Sequence, residues 1–455
     1  MKKLLPILLL IIGLTPIANA QWTSPGTGNT YTLPDLVNVT GGVVTDQGSG
    51  KFTINNNLTI AGTDRLIIDD QVVRIDIPGA LVTLQGYLSC TNTQRVKIYG
   101  TTTAHYGIRL ENAKGCDFRN LYLSDGGGIQ VVESNATFTD VKFTYFTTDY
   151  CSSAINIFNS HPLIDNCYFL LNDGPAIASP ANGQSSPTIQ NCSLDSNSNN
   201  SSNPQINLGP GGDDTIRIVN NTIDGTYATS HVGGISISDL MGVGDTKVLL
   251  QGNNIVKGRY GYNQQGQIIS SRIINNMFLN NDQETNPMNG GSGISIYGSS
   301  VNCKAILRDN TITGNLWGIT AINLHQIDMG TERDWGNNVL HDNGNGGQIY
   351  DLYNNSACDL TAVGNNWGTS NQRLIEAHIY HQVDNPAFGL VTYIPFIDVD
   401  DVGELISDNT PIDLSKATVY SLTGQRVNPE SIKTGVYIAV MKQGTQTIAK
   451  KIIIQ

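Results

Sequence analysis

One pattern constrains this chain more than any other. Two polar turn residues, mostly asparagines, followed by an apolar residue recur along its length: Asn220-Asn221-Thr222-Ile223, Asn253-Asn254-Ile255-Val256, Asn275-Asn276-Met277-Phe278, Asp309-Asn310-Thr311-Ile312, Asn337-Asn338-Val339-Leu340 and Asn365-Asn366-Trp367. Upstream the same slot carries Cys or Val, in Gly115-Cys116-Asp117-Phe118, Asp140-Val141-Lys142-Phe143, Asn166-Cys167-Tyr168-Phe169 and Asn191-Cys192-Ser193-Leu194. Representative spacings between successive anchors are 33, 25 and 22 residues. A repeat of this length, made of short strands and turn residues, is one coil of a β-solenoid. Coils stack about 4.8 Å apart by parallel hydrogen bonding, so equivalent side chains lie above one another. The phase predicts an inward aromatic stack of Phe118, Phe143 and Phe169, continued by Leu194, Ile223, Val256, Phe278, Ile312 and Leu340. The asparagines are expected at a tight corner, because Asn tolerates left-handed backbone angles and its stacked amides bond in ladders. Cys116, Cys167 and Cys192 are expected there as small buried groups.

The start and end of the repeat are also readable. Asn57–Ile60, Arg65–Ile68, Gln71–Ile75 and Ala80–Leu84 are short apolar runs spaced by Gly, Asp and Pro, as strands should be. Asn371 to His381 has helical character and is placed to cover the open end of the stack. Ser193–Asp214 and Asn280–Ser292 are rich in Asn, Ser and Gly and are expected as surface loops.

Composition narrows the partners. Charged residues are 14% of the 455, too few for charge-driven disorder, and glycine is high at 48. Lys+Arg number 26 against 38 Asp+Glu, for a net charge of -12. Nucleic acid is excluded as a partner, since phosphate neutralisation needs a basic face. A polyanionic glycan is disfavoured unless Ca²⁺ bridges it. Residues 1–20 read as a signal peptide: Lys2-Lys3, the apolar run Leu4 to Ile12, and a small-residue site at Ala18-Asn19-Ala20. No other apolar run is long enough for a transmembrane helix. Seven cysteines, an odd number without a CxxC pair, leave at least one unpaired and give no zinc site.

Two resemblances follow from quoted residues. Gly364-Asn365-Asn366-Trp367-Gly368-Thr369, with Ile379-Tyr380, Asp384-Asn385-Pro386, Gly389, Val391, Tyr393 and Pro395, resembles the last coil and cap of secreted bacterial right-handed parallel β-helix proteins. That resemblance implies an all-β solenoid over residues 21–397 and implies fold more than activity. After an acidic linker at 398–412, Thr418-Val419-Tyr420-Ser421-Leu422-Thr423-Gly424 and Gly435-Val436-Tyr437 are similar to the type IX secretion sorting domain of Bacteroidota. This implies a small C-terminal β-sandwich at 413–455 that is read by the type IX machinery. It also implies a product released from the cell or held on its outer membrane.

Catalytic candidates are few. On this fold, a uronate lyase needs Ca²⁺ on clustered carboxylates and a cationic base, and an inverting hydrolase needs paired carboxylates around a water. Gly211-Gly212-Asp213-Asp214 and Ser230-His231-Val232-Gly233-Gly234-Ile235 resemble elements of polygalacturonase-type hydrolases, with Asp195 ahead of them and Arg272 behind. The glycine before the histidine is absent, and Arg272-Ile273-Ile274 lacks the expected lysine. Arg217-Ile218-Val219 repeats that string, which marks both arginines as outward positions on repeat strands. Gly-Gly-Asp-Asp is also a plain turn signal. No catalytic residue is therefore assigned beyond the candidates Asp195, Asp213, Asp214 and His231. His161, His325, His341, His378 and His381 are scattered, the last two reading as solvated cap positions. Asp398, Asp400, Asp401 and Glu404 offer a loose Ca²⁺ site without the Gly-shaped loop a tight one needs, so no cofactor is assigned. Tyr260, Tyr262, Tyr297 and Tyr350 are exposed candidates for stacking on sugar rings. The sequence thus reads as a secreted or cell-surface β-helix, a non-catalytic binding, adhesive or structural element directed at a polysaccharide or a host or cell-surface ligand. The alternative is a polysaccharide hydrolase or lyase. An enzyme needs converging carboxylates in one groove; a binder needs aromatics and amides without them.

Overall fold

The structure, a computed structural model, describes residues 21–399, 416–421, 426–428, 432, 435–443 and 446–454. The signal peptide expected at residues 1–20 and all of the acidic linker beyond Val399 lie outside the described residues. Strands of three to six residues dominate, and their burial alternates, as in Arg65–Ile68 and Leu81–Leu84. A short strand with one apolar edge cannot bury it alone, so the chain turns after each and stacks it on the coil before. The result is a right-handed parallel β-helix with three faces. Sheet 1 includes Leu58–Ile60, Ile235–Asp239 and Tyr262–Gly266. Sheet 2 includes Arg65–Ile68, Thr215–Val219 and Thr246–Gln251. Sheet 3 includes Arg74–Asp76, Thr222–Asp224 and Asn254–Val256. Each strand pairs in parallel with its equivalent one coil on, for example Ile235 with Tyr262, Ile216 with Val248 and Ile223 with Ile255.

The corner between sheets 2 and 3 takes two residues with separate tasks. The first has a left-handed backbone: φ is 56° at Asn220, 54° at Asn275, 58° at Asp309 and 52° at Asn337. The second points inward and carries the ladder. Asn221, Asn253, Asn276, Asn310 and Asn338 each donate Nδ2 to the next Oδ1 at 2.8–3.0 Å, and Asn365, which accepts the last of these bonds, ends the run by donating to Met329 O. Cys192 and Cys167 extend the column upward, Cys192 N donating to Asn221 Oδ1 and Cys167 N to Cys192 Sγ. A second amide ladder runs along the corner between sheets 3 and 1, from Asn281 through Asn315 and Asn343 to the buried carboxylate of Asp351.

The inward column of sheet 3 runs Phe143, Phe169, Leu194, Ile223, Ile255, Phe278, Ile312, Leu340. Phe143 and Phe169 stack at 4.7 Å and 4°. Two expectations are corrected. Val256 is not in the column, because Gly252 (φ 66°) takes the left-handed corner position and shifts the frame by one. Phe118 is buried, but in sheet 2, stacked on Phe138 at 4.7 Å; Leu123 holds its expected place over Phe143. Cys116 likewise lies inward on sheet 2 beneath Leu88, away from the corner, where Asn120 (φ 52°) sits instead. Burial pushes the Cys116 thiol up to about 12, so it stays protonated as a small apolar group. All seven cysteines are free thiols.

Both ends are closed. Helix α1 (Leu33–Val39) covers the first coil, started by a reciprocal cap between Thr32 and Asp35 and burying Leu33 and Leu36. Helix α2 (Gln372–Ala377) and the segment after it cover the last, with Trp367 and Tyr393 buried edge to face. His381 is 1% exposed, not solvated: its Nδ1 accepts from Val391 N at 3.0 Å, and its Nε2 donates to Glu376, which also accepts from Tyr393. The loop expected at Ser193–Asp214 is largely structured. Ser193–Asp195 and Ile206–Leu208 are strands, and Asn197 is a fully buried member of a short amide ladder with Asn172 and Gln205. Of the loop expected at Asn280–Ser292, residues 282–291 form a loop with one short turn of helix at Pro287–Asn289, whereas Asn281 is buried in the second ladder and Ser292 begins a strand. Beyond the linker, Arg426–Val427, Thr418–Ser421, Gly435–Gln443 and Gln446–Ile454 form a separate four-stranded antiparallel sheet around Val419 and Ala439. Among the described residues no helix is long and apolar enough to cross a membrane.

Candidate functional site

Parallel stacking turns one outward residue per coil into a continuous line. On sheet 1 that line reads Ser236, Asn263, Ser295, Thr320, Tyr353, Tyr380. Beside it runs Ser238, Gln265, Tyr297, Ile322, Asn355. Over the last coils these two lines are hydroxyls, amides and rings, apart from the aliphatic Ile322, with no charge at all. The strand at Trp317–Asp328 begins with Trp317, which the loop at Pro287–Asn289 fixes by accepting its indole N–H at Pro287 O, 2.9 Å away. Trp317 packs on Tyr350 at 4.5 Å and on Tyr353 at 5.1 Å; Tyr353 stacks on Tyr380 at 4.7 Å and 4°. Burial, and the neighbouring Tyr380 and Tyr350, raise the Tyr353 hydroxyl above its ordinary value, so it is a neutral donor.

Loop and face enclose a groove of about 480 Å³. Trp317, Tyr353 and Tyr260 supply its rings; Asn263, Asn355, Ser295 and Thr320 supply amides and hydroxyls. No residue lining it is acidic. Half-buried rings beside neutral donors and acceptors suit a ligand with alternating apolar faces and hydroxyl edges. They offer no general acid or base.

The sequence candidates are not brought together. Asp195 ends a strand of sheet 3, where it lies beside Asp224 of the next coil and accepts from Ser196. Asp213 and Asp214 form the turn from sheet 1 into sheet 2, with Asp214 capping Thr215 N. His231 lies in the loop from sheet 3 to sheet 1, paired with Glu284 at 3.2 Å. The width of sheet 1 therefore separates the two aspartates from the histidine. Arg217 and Arg272 point outward on one line of sheet 2, with Leu249 between them. Of the tyrosines, Tyr260 and Tyr350 do border the groove or its rings, and Tyr297 stands on the second line. Tyr262 is fully buried, hydrogen-bonded to Ser271 inside the coil. His325 is also buried, and burial lowers it to about 4, so it is neutral. Among the described residues no three His, Cys, Asp or Glu side chains group as a metal site.

One polar cluster on sheet 1 was not anticipated. At the other end of the face His105 Nδ1 meets Asp149 at 2.5 Å, and Arg109 binds Gln130 and Glu111 with Tyr150 alongside. The Tyr150 ring lies flat on Gly107, where a Cβ would come within 2.7 Å of it.

Residues 79–240 match a family model described as the right-handed beta helix region. No curated protein matches the chain. The periplasmic alginate epimerase AlgG is similar in structure, with a TM-score of 0.47, 11% identity and 82% of each chain covered. The Dettilon tailspike protein is similar over 80% of this chain and 68% of its own, with a TM-score of 0.34 and 13% identity.

Proposed function

We propose that this chain is an exported, non-catalytic glycan-binding protein whose contact surface is the outer face of sheet 1 over its last coils. The observation that carries this reading is the groove lined by Trp317 and Tyr353, which pack edge to face: rings and neutral amides converge there, and carboxylates do not. A pyranose ring presents an apolar face to an aromatic side chain and hydroxyls to amides, and coils rising by about 4.8 Å offer such a site repeatedly along a sugar chain. Retention of the mature protein on a panel of immobilised polysaccharides tests it. Trp317→Ala, and separately Tyr353→Ala, are expected to weaken retention by about tenfold or more, as loss of a central aromatic contact does. Retention on no member of the panel, or retention unchanged in both variants, would count against the groove.

A catalytic reading has one observation in its favour, the His105–Asp149 pair beside Arg109 and Tyr150. A carboxylate on Nδ1 orients an imidazole for general base work. The same incubations read it out: new reducing ends or unsaturated uronate absorbance, lost in His105→Ala, would move the function to that end of the face.

The C-terminal sheet is proposed as the type IX sorting signal, which rests on the sequence resemblance at Thr418–Gly424 and Gly435–Tyr437. Deleting residues 413–455 is expected to leave the protein in the periplasm. Normal surface display or release of the truncated chain would overturn this assignment.

A further inference from the structure

The whole chain is acidic, but its groove is not. Among the lining residues the one charged side chain is Arg259, midway along the loop from sheet 3 into sheet 1. Its guanidinium is held by one edge: Nε donates to Asn289 O at 2.7 Å, and Nη2 donates to the same oxygen. Among the described residues Nη1 has no protein partner and no carboxylate lies within ion-pair distance of the group. The aromatic ring of Tyr260 lies 5.9 Å from the guanidinium carbon. A cation fixed at one edge, unpaired at the other and set beside Trp317 and Tyr353 is preorganised for an anion on a ligand those rings hold. Resting on the glycan reading above, we propose that the groove selects a sugar bearing an acidic substituent, a carboxylate or a sulfate, which docks on Arg259 Nη1 while its ring stacks on the aromatic wall.

Net charge does not decide this point. Charges more than about 10 Å away are screened at ordinary ionic strength, whereas a group inside the groove meets the ligand directly. The preference is therefore local and falls as salt rises.

The experiment compares matched oligosaccharides with one backbone: neutral, carboxylated and sulfated. The full-length mature protein is expected to bind at least one acidic form about tenfold more tightly than the neutral form, as one charge-assisted hydrogen bond supplies. Arg259→Gln is expected to bring the ratio to about one, and Arg259→Lys to keep part of it. The carboxylated and sulfated arms separate the two chemistries. Equal binding of all three by the wild-type protein would overturn the inference while leaving the glycan reading intact. So would a preference that survives in Arg259→Gln. Binding of none of them would overturn both. Since each result is a ratio within one protein, a loop loosened by loss of the Asn289 contact lowers all three affinities and leaves the ratio readable.

Discussion

Replacing Asn276 by alanine should destabilise the solenoid by about 4–6 kcal/mol, because it strands several buried polar groups at about 1–3 kcal/mol each. Asn276 is 1% exposed. Its Oδ1 accepts from Asn253 N and Asn253 Nδ2, both at 2.9 Å. Its Nδ2 donates to Leu250 O and Ile274 O at 3.1 Å and to Asn310 Oδ1 at 3.0 Å. Alanine removes every one of these and leaves a gap too enclosed for water to reach freely. Asn276→Asp is no rescue, since a carboxylate faces three acceptors in place of a donor. The neighbouring Asn275 is the control. It holds the left-handed corner (φ 54°) without membership of the ladder, and glycine adopts that angle at little cost, so Asn275→Gly should change stability by less than about 1 kcal/mol. Guanidinium unfolding followed by intrinsic fluorescence compares the two. A loss below about 1 kcal/mol at Asn276 would mean the ladder is ornamental.

Phe143→Ala is the second large effect, about 3–5 kcal/mol for a fully buried aromatic. Phe143 lies flat on Phe169 at 4.7 Å and meets Phe138 and Phe146 edge-on at 6.0 and 5.9 Å. Its exposure is 0%. Coils above and below fix its neighbours by backbone pairing, so the cavity cannot collapse easily. Because each coil contacts chiefly its neighbours, the damage should be local. Amide exchange should quicken in the strands at Ala136–Thr144 and Tyr168–Leu170 before it quickens in the last coils.

The solenoid was legible because its corner has a chemical requirement. A left-handed residue followed by an inward amide can be satisfied by few residue types, so Asn-Asn recurs and can be counted. The same fact explains the slips. At Gly252-Asn253 a glycine meets the backbone requirement, and aligning on asparagine pairs puts Val256 where Ile255 belongs. At Asn120-Leu121 the amide is missing, so the corner is invisible in the sequence, and Phe118 reads as a sheet 3 residue although it belongs to sheet 2. Helix α1 carried its own signal in Thr32-Leu33-Pro34-Asp35, a capping box with proline inside the first turn, and could have been read.

The groove was less legible for a geometric reason. Sheet 1 follows the loops of variable length that leave sheet 3, such as those ending at Gln205, Gly234 and Gly291. Counting from the asparagine corner therefore fixes sheet 3 and loses register at sheet 1. Trp317, Tyr353 and Tyr380 come together only when the second ladder, Asn281 to Asp351, re-anchors the count. The sequence elements likened to a hydrolase had the right order but no such constraint, and the fold spreads them over separate corners.

The most direct measurement is a crystal structure of the mature protein with an oligosaccharide it retains. Sugar rings are expected over Trp317 and Tyr353, with hydroxyls on Asn263, Asn355 or Thr320. A ligand ordered elsewhere, at Asp213, at His231 or on sheet 2, with the groove filled only by water, would contradict that placement.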